Sequence, residues 1–490
     1  MSKIFMLWNP RGRIGRGTYL AAGIALFVTK FAIDYAVAGG MFARHWSLIE
    51  YLAPGQAILS LLNDRADRIF YLTMSAVALP YILIGLSLTV QRLRDAGLPM
   101  LLVALFFLPL GNVFFFLVLC LLESNPKSAA DHEGHHPLEA EQTAPTSAVV
   151  VPLEYSREID PALFPKFPLL HHWPQDRGAS AALAVLLPAP VMVGAVLLAT
   201  HVLRDYGWGL FIGLPFVNGM LSALLHGMRV PRTLGQSLGV GTMGVIASAA
   251  AILIFAVEGL GCMIMFLPLA IPVGLFGAAL GHGIQARPMP RPATWRVGCS
   301  VLGLLPLMMS AEHAAMPPAP QFMVTTVVEV DAPPEVVWQH VVSFSDIPPP
   351  HDWLFKTGVA YPIRAQIDGS RPGAIRYCEF STGSFVEPIE VWDQPRLLKF
   401  AVTQNPPPMK EWTFWPNVHP PHLNNFLVSD GGQFRLIPLP NGRTRLEGTT
   451  WYRHHMWPAA YWQFWSDFII HRIHTRVLEH VKHLSESTAR

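Results

Sequence analysis

The feature that most limits the fold of this chain is a series of long apolar runs in its first 312 residues. An α-helix needs about 20 mostly apolar residues to cross the hydrocarbon core of a bilayer. The runs that reach or approach this length are 18–38, 69–90, 100–122, 181–203, 209–225, 238–257, 262–280 and the shorter 297–310. Only 14% of the residues are charged, whereas a soluble protein carries about 25%. The sequence therefore predicts a multi-span α-helical membrane protein.

Changes in composition divide the chain into four predicted parts. Residues 1–125 form a first helical membrane domain, and residues 179–312 form a second one of about four spans. Between them, 126–178 is rich in Pro, Ala, Glu and His and lacks a sustained apolar period, which is typical of a flexible linker. Residues 320–487 have the charge and aromatic content of an ordinary soluble domain.

Net charge and cysteine spacing exclude two further classes of function. The net charge is only +2, so no basic footprint for a nucleic acid is present. The cysteines are not spaced as metal-binding pairs; they are Cys120, Cys262, Cys299 and Cys378. We therefore expect no metal, no cofactor and no nucleic-acid partner. The expected partners are membrane lipids and a hydrophobic small molecule, and protein partners stay undetermined.

Basic residues predict the orientation of the membrane domains. Those before the first run are Lys3, Arg11, Arg13 and Arg16, and they place the N-terminus in the cytoplasm. Basic loops later in the chain favour an external or periplasmic C-terminal domain, but three spans before the linker conflict with that arrangement. Two alternatives remove the conflict: 100–122 is a re-entrant hairpin broken at 109–112, or 46–62 also crosses.

Two motifs in the first membrane domain resemble a known family. Gly12-Arg-Ile-Gly-Arg16, followed by Tyr19, precedes the first run, and Gln91-Arg-Leu-Arg-Asp-Ala-Gly97 lies between two later runs. They resemble the GRxxR and RLHD-x-G motifs of the small inner-membrane proteins of domain-of-unknown-function family 805, with Arg94 where that family has His. The resemblance implies a multi-pass protein of the bacterial inner membrane, without an activity to inherit.

Four arginines of these motifs are predicted to be anchors at the membrane–water interface, where they contact anionic head groups. They are Arg13, Arg16, Arg92 and Arg94. The alternative is that Arg92 and Arg94 form pairs that lock neighbouring spans together.

The C-terminal domain shows a different pattern, in which short strands precede one long helix. A β-rich strand at 322–330 is followed by a helix that opens at 331–335. Further strands are predicted at 374–380, 384–391, 397–403, 432–439 and 444–451. The turn Pro440-Asn-Gly442 joins the last two as a hairpin. A helix over 458–485 carries one apolar stripe.

This order resembles the helix-grip fold of the START/polyketide-cyclase (SRPBCC) superfamily. The opening Val330-Asp-Ala-Pro-Pro-Glu-Val-Val-Trp338 is similar to that superfamily's usual start, and 386–393 and 444–451 are similar to its middle and last strands. The resemblance implies an α+β domain with a cavity between a curved sheet and the long helix, suited to lipids, sterols, isoprenoids or polyketides.

Eight side chains are candidates for lining that cavity. They are Glu379, Glu387, Glu447, Trp451, Tyr461, Trp465, Phe468 and Arg472. The competing interpretation is that the aromatic residues are ordinary core and that the charged residues form structural ion pairs. No nucleophile–base motif is present in the sequence, so no catalytic residue is assigned.

Three functions remain as hypotheses. The first is a membrane-tethered, non-enzymatic module that binds a lipid, an isoprenoid or a polyketide-like molecule and captures or transfers it. The second is an enzyme of the cyclase or dehydrase kind that uses a carboxylate or histidine in the cavity. The third is a membrane scaffold or sensor.

Overall fold

The computed structural model describes residues 12–46, 51, 65–98, 100–107, 111–122, 124, 173–286, 291–314, 318–412, 420–424 and 426–489. Most of the predicted linker 126–178 and of the alternative span 46–62 lies outside these residues. The helices of the membrane part are α1 (Arg16–Phe42), α2 (Arg65–Asp95), α3 (Gly111–Leu121), α4 (Arg177–Leu203), α5 (Gly209–His226), α6 (Leu234–Ile254), α7 (Leu260–Gln285) and α8 (Arg291–Ala314).

Six of these helices, all but α3 and α8, are long and apolar enough to cross a membrane. On α1 the large apolar side chains Leu20, Ile24 and Phe27 are exposed, as expected for a helix that faces lipid. This confirms a multi-pass membrane protein. The predicted short span 297–310 lies within α8, which leads into the C-terminal domain.

The predicted span 100–122 is not one α-helix in the described residues. It comprises a 3-10 helix, Met100–Phe107, and the separate helix α3. Both contact α2. The change of helix type lies next to the Pro109–Asn112 segment where the sequence predicts a break.

Arg92 joins two helix ends in this unit. Its side chain is fully buried, donates to the carbonyl of Leu119 (3.0 Å) and to that of Leu122, and pairs with Asp95. Leu119 lies in the last turn of α3 and Leu122 follows it directly, so these carbonyls lack partners within the helix. Arg92 therefore ties α2 to α3, which is the alternative that the sequence left open.

Close helix packing in the second unit depends on glycine. A Cβ on Gly219 would lie 2.0 Å from the carbonyl oxygen of Gly274, and one on Gly277 would lie 2.0 Å from that of Phe216. Glycine at these positions lets α5 and α7 pack backbone to backbone, as small residues do in membrane bundles.

The C-terminal domain is one antiparallel sheet wrapped around a long helix. Its strands are β1 (Gln321–Val330), β2 (Pro362–Asp368), β3 (Ile375–Phe380), β4 (Gly383–Asp393), β5 (Leu397–Ala401), β6 (Leu427–Leu439) and β7 (Arg443–His454). They follow the order β1-β7-β6-β5-β4-β3-β2. The helices are α9 (Pro334–Val342), the short α10 (Trp353–Lys356) and α11 (Ala459–Thr488).

The sheet curls because both of its edges reach the same helix. β1 and β2 are the two edge strands, and both contact α11. The apolar core between them includes Val330, Trp338, Leu398, Leu446 and Leu478. The predicted helix-grip class is therefore confirmed, and the predicted hairpin joins β6 to β7 through Pro440–Gly442.

The C-terminal domain packs directly on the second membrane unit. The Trp457 amide donates to the Tyr206 carbonyl (2.9 Å), and the Leu260 amide donates to the Trp412 carbonyl (3.0 Å). The Trp462 ring lies 4.7 Å from the Phe211 ring, centroid to centroid. Because these contacts involve the first turn of α11 and the ends of the spans, one apolar core runs from the membrane helices into the domain.

Candidate functional site

Two cavities lie along α11, lined by the adjoining stretches 462–469 and 470–478 of that helix. The first, which we call the deep cavity, lies between the sheet and α11 and has a volume of about 110 Å³. Its walls include Phe380, Phe385, Phe434, Ile470 and Ile473. The curled sheet therefore leaves space beside the helix.

A buried ion pair forms the polar part of the deep cavity. Arg376 on β3 stands opposite Glu387 on β4, and the two side chains form a buried salt bridge. Arg376 also donates to the Val342 carbonyl (3.2 Å) and lies 5.4 Å from the Phe434 ring centroid. Burial raises the pKa of Glu387, and Arg376 opposes that shift. Contacts with Glu387, the Val342 carbonyl and the Phe434 ring therefore hold the Arg376 side chain in place.

His474 forms the opposite polar wall, on α11. Its Nε2 hydrogen-bonds the Thr450 hydroxyl (2.7 Å), and its Nδ1 hydrogen-bonds the Thr326 hydroxyl (3.1 Å). Burial, with a contribution from His471, lowers the pKa of His474 to about 4. The imidazole is therefore neutral at pH 7, and both of its nitrogens are engaged.

The second cavity, which we call the junction pocket, lies where the domain meets the membrane helices. It also has a volume of about 110 Å³, and its walls are almost entirely apolar. The membrane part contributes Leu210, Phe211, Leu214, Ile252, Met263 and Phe266, and the domain contributes Met409, Leu427, Met456, Trp462, Trp465 and Ile469. Neither part forms this pocket alone.

Five polar side chains meet at one side of the junction pocket. We call this set, Tyr206, Glu258, Cys262, Glu411 and His422, the junction cluster. The Cys262 thiol lies 2.7 Å from Glu411 Oε1, to which it donates, and 2.9 Å from His422 Nε2. On the other side of the ring, His422 Nδ1 lies 3.2 Å from Glu258 Oε2. The Tyr206 hydroxyl donates to Glu258 Oε1 (2.7 Å).

The fold brings the junction cluster together from three segments. Glu258 and Cys262 flank the start of α7, one helical turn apart, while Tyr206 precedes α5. Glu411 and His422 belong to the segment between β5 and β6. Burial would lower the pKa of His422, but Cys262 and Glu258 raise it well above its ordinary value.

Glycine makes room for Glu411 at the start of α7. A Cβ on Gly259 would lie 1.8 Å from Glu411 Oε2. Only glycine at this N-cap therefore allows the carboxylate to approach the helix end.

The structure separates the predicted cavity residues. Glu387 lines the deep cavity and Trp465 lines the junction pocket. Tyr461 donates to the Met265 carbonyl of α7, at the contact between the two parts. Phe468 packs with Leu354, Phe355 and Val359 beside the junction pocket.

The other four predicted residues lie in ion pairs or cation–π contacts. Glu379 pairs with Arg364 (2.9 Å), Glu447 pairs with Arg445 (2.9 Å), and Arg472 pairs with Asp352 (3.3 Å). The Trp451 ring lies 5.9 Å from Lys399 Nζ. These arrangements correspond to the structural interpretation that the sequence left open.

The sequence interpretation missed Arg376 and the junction cluster. Arg376 lies on the same face of β3 as Cys378 and Phe380, two and four positions later, and that face points inwards. Glu258 is an acidic residue between two apolar runs, with Cys262 four positions later. That spacing at a membrane helix start is the one local signal of the cluster, because its other members are distant in sequence.

Fold and site together define a multi-pass membrane protein that carries a helix-grip domain docked on its spans. Residues 7–130 match the family model described as protein of unknown function DUF805, so the predicted resemblance of the N-terminal part is confirmed. A comparison with curated proteins found no match.

The C-terminal domain is similar to several solved structures. An aromatase/cyclase from Streptomyces sp. R1128 is 16% identical, with a TM-score of 0.25, over 35% of this chain and 97% of that chain. Truncated norcoclaurine synthase from Thalictrum flavum is 12% identical, with a TM-score of 0.23, over 34% of this chain and 94% of that chain. A protein from Nitrosospira multiformis is 16% identical, with a TM-score of 0.23, over 34% of this chain and all of that chain.

Proposed function

We propose that this chain is a membrane-docked binding protein for a hydrophobic ligand, which it holds in the junction pocket. The observation that carries the proposal is the composition of that pocket: membrane helices form one wall and the helix-grip domain forms the other. An apolar cavity at the boundary between two structural units is a common place for a ligand.

The size of the pocket limits the part of the ligand that enters it. An apolar cavity of about 150 Å³ accepts benzene, and the junction pocket has about 110 Å³. It therefore suits a short alkyl segment or a single ring, such as the end of a lipid, isoprenoid or polyketide chain. Trp462, Trp465 and Phe211 supply large apolar contact surfaces.

The position of the pocket suits capture from the bilayer. Phe211 and Phe266 belong to helices that are apolar enough to cross a membrane, so a ligand that enters between them avoids water. Ile469 lines the junction pocket, while Ile470 and Ile473 line the deep cavity. The two spaces are therefore neighbours along α11. We retain a cytoplasmic N-terminus and an external C-terminal domain as part of this proposal.

Native mass spectrometry of the full-length chain in detergent tests the proposal. We expect a bound hydrophobic molecule on the wild type and its loss in Ser466→Phe, because Ser466 lines the junction pocket. Ser487→Phe is the matched control, since Ser487 is exposed on the same helix. A wild type that carries no such molecule, and that binds none when lipid extract is supplied, would refute the function.

The deep cavity favours a second candidate, an enzyme of the cyclase or dehydrase kind. A polar cluster inside the cavity is what that hypothesis requires, and Arg376, Glu387 and His474 provide one. The test is a comparison of lipid extracts from cells that express the wild type or Glu387→Gln. A product that appears only with the wild type would support catalysis, and identical extracts would leave binding as the function.

A further inference from the structure

The junction cluster brings together side chains of the types that coordinate metal ions in proteins. It places one thiol, one imidazole and two carboxylates in a buried site, where Glu411 and His422 are each below 10% exposed. Cys262 Sγ, one ring nitrogen of His422 and one carboxylate oxygen of Glu258 lie within 4.8 Å of one another. Sulfur, nitrogen and oxygen donors in this combination are those that zinc takes in proteins.

Two carboxylates of the cluster share a single histidine. Both Glu258 and Glu411 lie within ion-pair distance of His422, one at each ring nitrogen. Carboxylates buried in this way are normally paired or bound to a metal.

One buried carboxylate oxygen of the cluster also lacks a hydrogen-bond partner. Glu411 Oε2 accepts no hydrogen bond from the described residues. Glu411 Oε2 has none even though it lies beside the start of α7, where amide groups point outwards. Unsatisfied buried acceptors are rare in native proteins and call for an explanation.

We propose that Cys262, His422 and Glu411 bind a zinc ion at the edge of the junction pocket. His422 offers Nε2, the nitrogen that faces Cys262 Sγ (2.9 Å) and Glu411 Oε1 (3.6 Å). Ligands of a tetrahedral zinc ion are about 3.3 to 3.8 Å apart, so small side-chain shifts create the site. Thiolate and carboxylate together match the double positive charge.

Glu258 has a distinct role in this arrangement. Its carboxylate lies at Nδ1 of His422, on the far side of the ring from Cys262. A carboxylate at the second nitrogen orients a metal-binding histidine and fixes its tautomer. Glu258 is therefore a positioning residue, and the Tyr206 hydroxyl holds it in turn.

A nucleophilic Cys262 activated by His422 is a different explanation of the same contacts. The thiol, however, donates to Glu411, and a neighbouring carboxylate disfavours the free thiolate that a nucleophile needs. A bound zinc ion supplies the positive charge that stabilises a thiolate next to a carboxylate. Zinc accounts for both contacts of the sulfur. An ion here would also join Cys262 of a membrane helix to two ligands of the soluble domain.

The test is cobalt binding by the full-length chain in detergent, after treatment with a chelator. We expect one Co²⁺ per chain and a thiolate-to-cobalt charge-transfer absorption band, with zinc displacing the cobalt. The band should vanish in Cys262→Ser and persist in Cys120→Ser, because Cys120 is a free cysteine elsewhere in the membrane part. Glu258→Gln should keep the band but bind cobalt about 10- to 100-fold more weakly.

Two results would overturn the proposal: no stoichiometric cobalt or zinc on the wild type, or a band that survives in Cys262→Ser. If Cys262→Ser fails to fold, Glu411→Gln replaces it, with Glu390→Gln as its exposed control. A Cys262 that reacts with alkylating reagents and retains no metal would favour the nucleophile instead. Because the readout is metal content, it is independent of ligand binding at the junction pocket.

Discussion

The deep cavity and the junction pocket share one helix but differ in what surrounds them. The deep cavity is built by the helix-grip domain alone, and it contains the buried Arg376–Glu387 pair and a neutral His474. The junction pocket is nearly all apolar and needs the membrane helices for half of its walls. The two cavities therefore have similar volumes but different chemistry. The polar groups of the deep cavity stabilise the fold or react with a ligand, whereas the apolar junction pocket suits a lipid-like ligand.

The difference also explains why the domain is fused to spans. Without α5 and α7, the apolar side chains around Trp462 and Trp465 would face water. The membrane part therefore completes the ligand space as well as anchoring the domain.

The largest expected effect comes from breaking the buried pair of the deep cavity. Arg376→Met leaves Glu387 buried without its cation, which should lower the free energy of unfolding by about 3–5 kcal/mol. Lys399→Met is the control, because its pair with Glu390 is exposed and should change stability by about 0–1 kcal/mol. Denaturant unfolding of the full-length chain, followed by tryptophan fluorescence, measures both. If both variants change the free energy of unfolding equally, the Arg376–Glu387 pair does not stabilise the fold.

The next effect is a loss of stability in acid that depends on His474. Its folded pKa of about 4 is below its ordinary value of 6.5, so the unfolded state binds more protons between these values. Stability is complete above pH 6.5 and falls as the pH drops towards 4, by up to about 3 kcal/mol. His474→Gln should flatten this dependence, while His483→Gln, at an exposed position, should not. An unchanged slope in His474→Gln would contradict the assignment.

Filling each space separately shows which one holds the ligand. Ser466→Phe in the junction pocket should weaken binding of a hydrophobic dye by about tenfold, or about 1.4 kcal/mol. Gly448→Leu in the deep cavity should leave dye binding nearly unchanged. The domain should tolerate this variant, because a Cβ on Gly448 meets its neighbours at ordinary distances of 3.4–3.6 Å. Dye titration of both variants measures the difference. If Gly448→Leu weakens dye binding more than Ser466→Phe does, the ligand site is the deep cavity.

The smallest effect tests the neutral imidazole of the deep cavity. Thr450→Val removes the hydrogen bond to His474 Nε2 and should cost about 1 kcal/mol. Thr403→Val removes an exposed hydroxyl contact and should cost little. If both variants lose the same free energy of unfolding, the hydrogen bond between Thr450 and His474 does not contribute to stability.

Much of the fold could be predicted from the sequence, because local patterns carry it. The apolar runs matched helices, and the stripe over 458–485 predicted α11 at Ala459–Thr488. Strand β2, Pro362–Asp368, was missed, since its mixed polar sequence lacks a β-branched run and its pairing with β3 supplies the structure. The break in 100–122 was visible in Pro109 and Gly111.

The site was less predictable, because its members meet only in three dimensions. Cys262 lies 149 residues before Glu411 and 160 residues before His422, so rules of motif spacing could not join them. Likewise, Arg92 has the sequence pattern of an interface anchor, and only the position of α3 shows that it caps carbonyls.

Photolabelling of the full-length chain in lipid vesicles tests the central claim most directly. An alkyl diazirine is allowed to equilibrate, is activated by light, and the labelled residues are identified by mass spectrometry. The proposed function predicts labels on junction-pocket residues such as Met409, Trp465 and Ile469, with their loss in Ser466→Phe. Labels confined to the lipid-facing surfaces of the spans would contradict it.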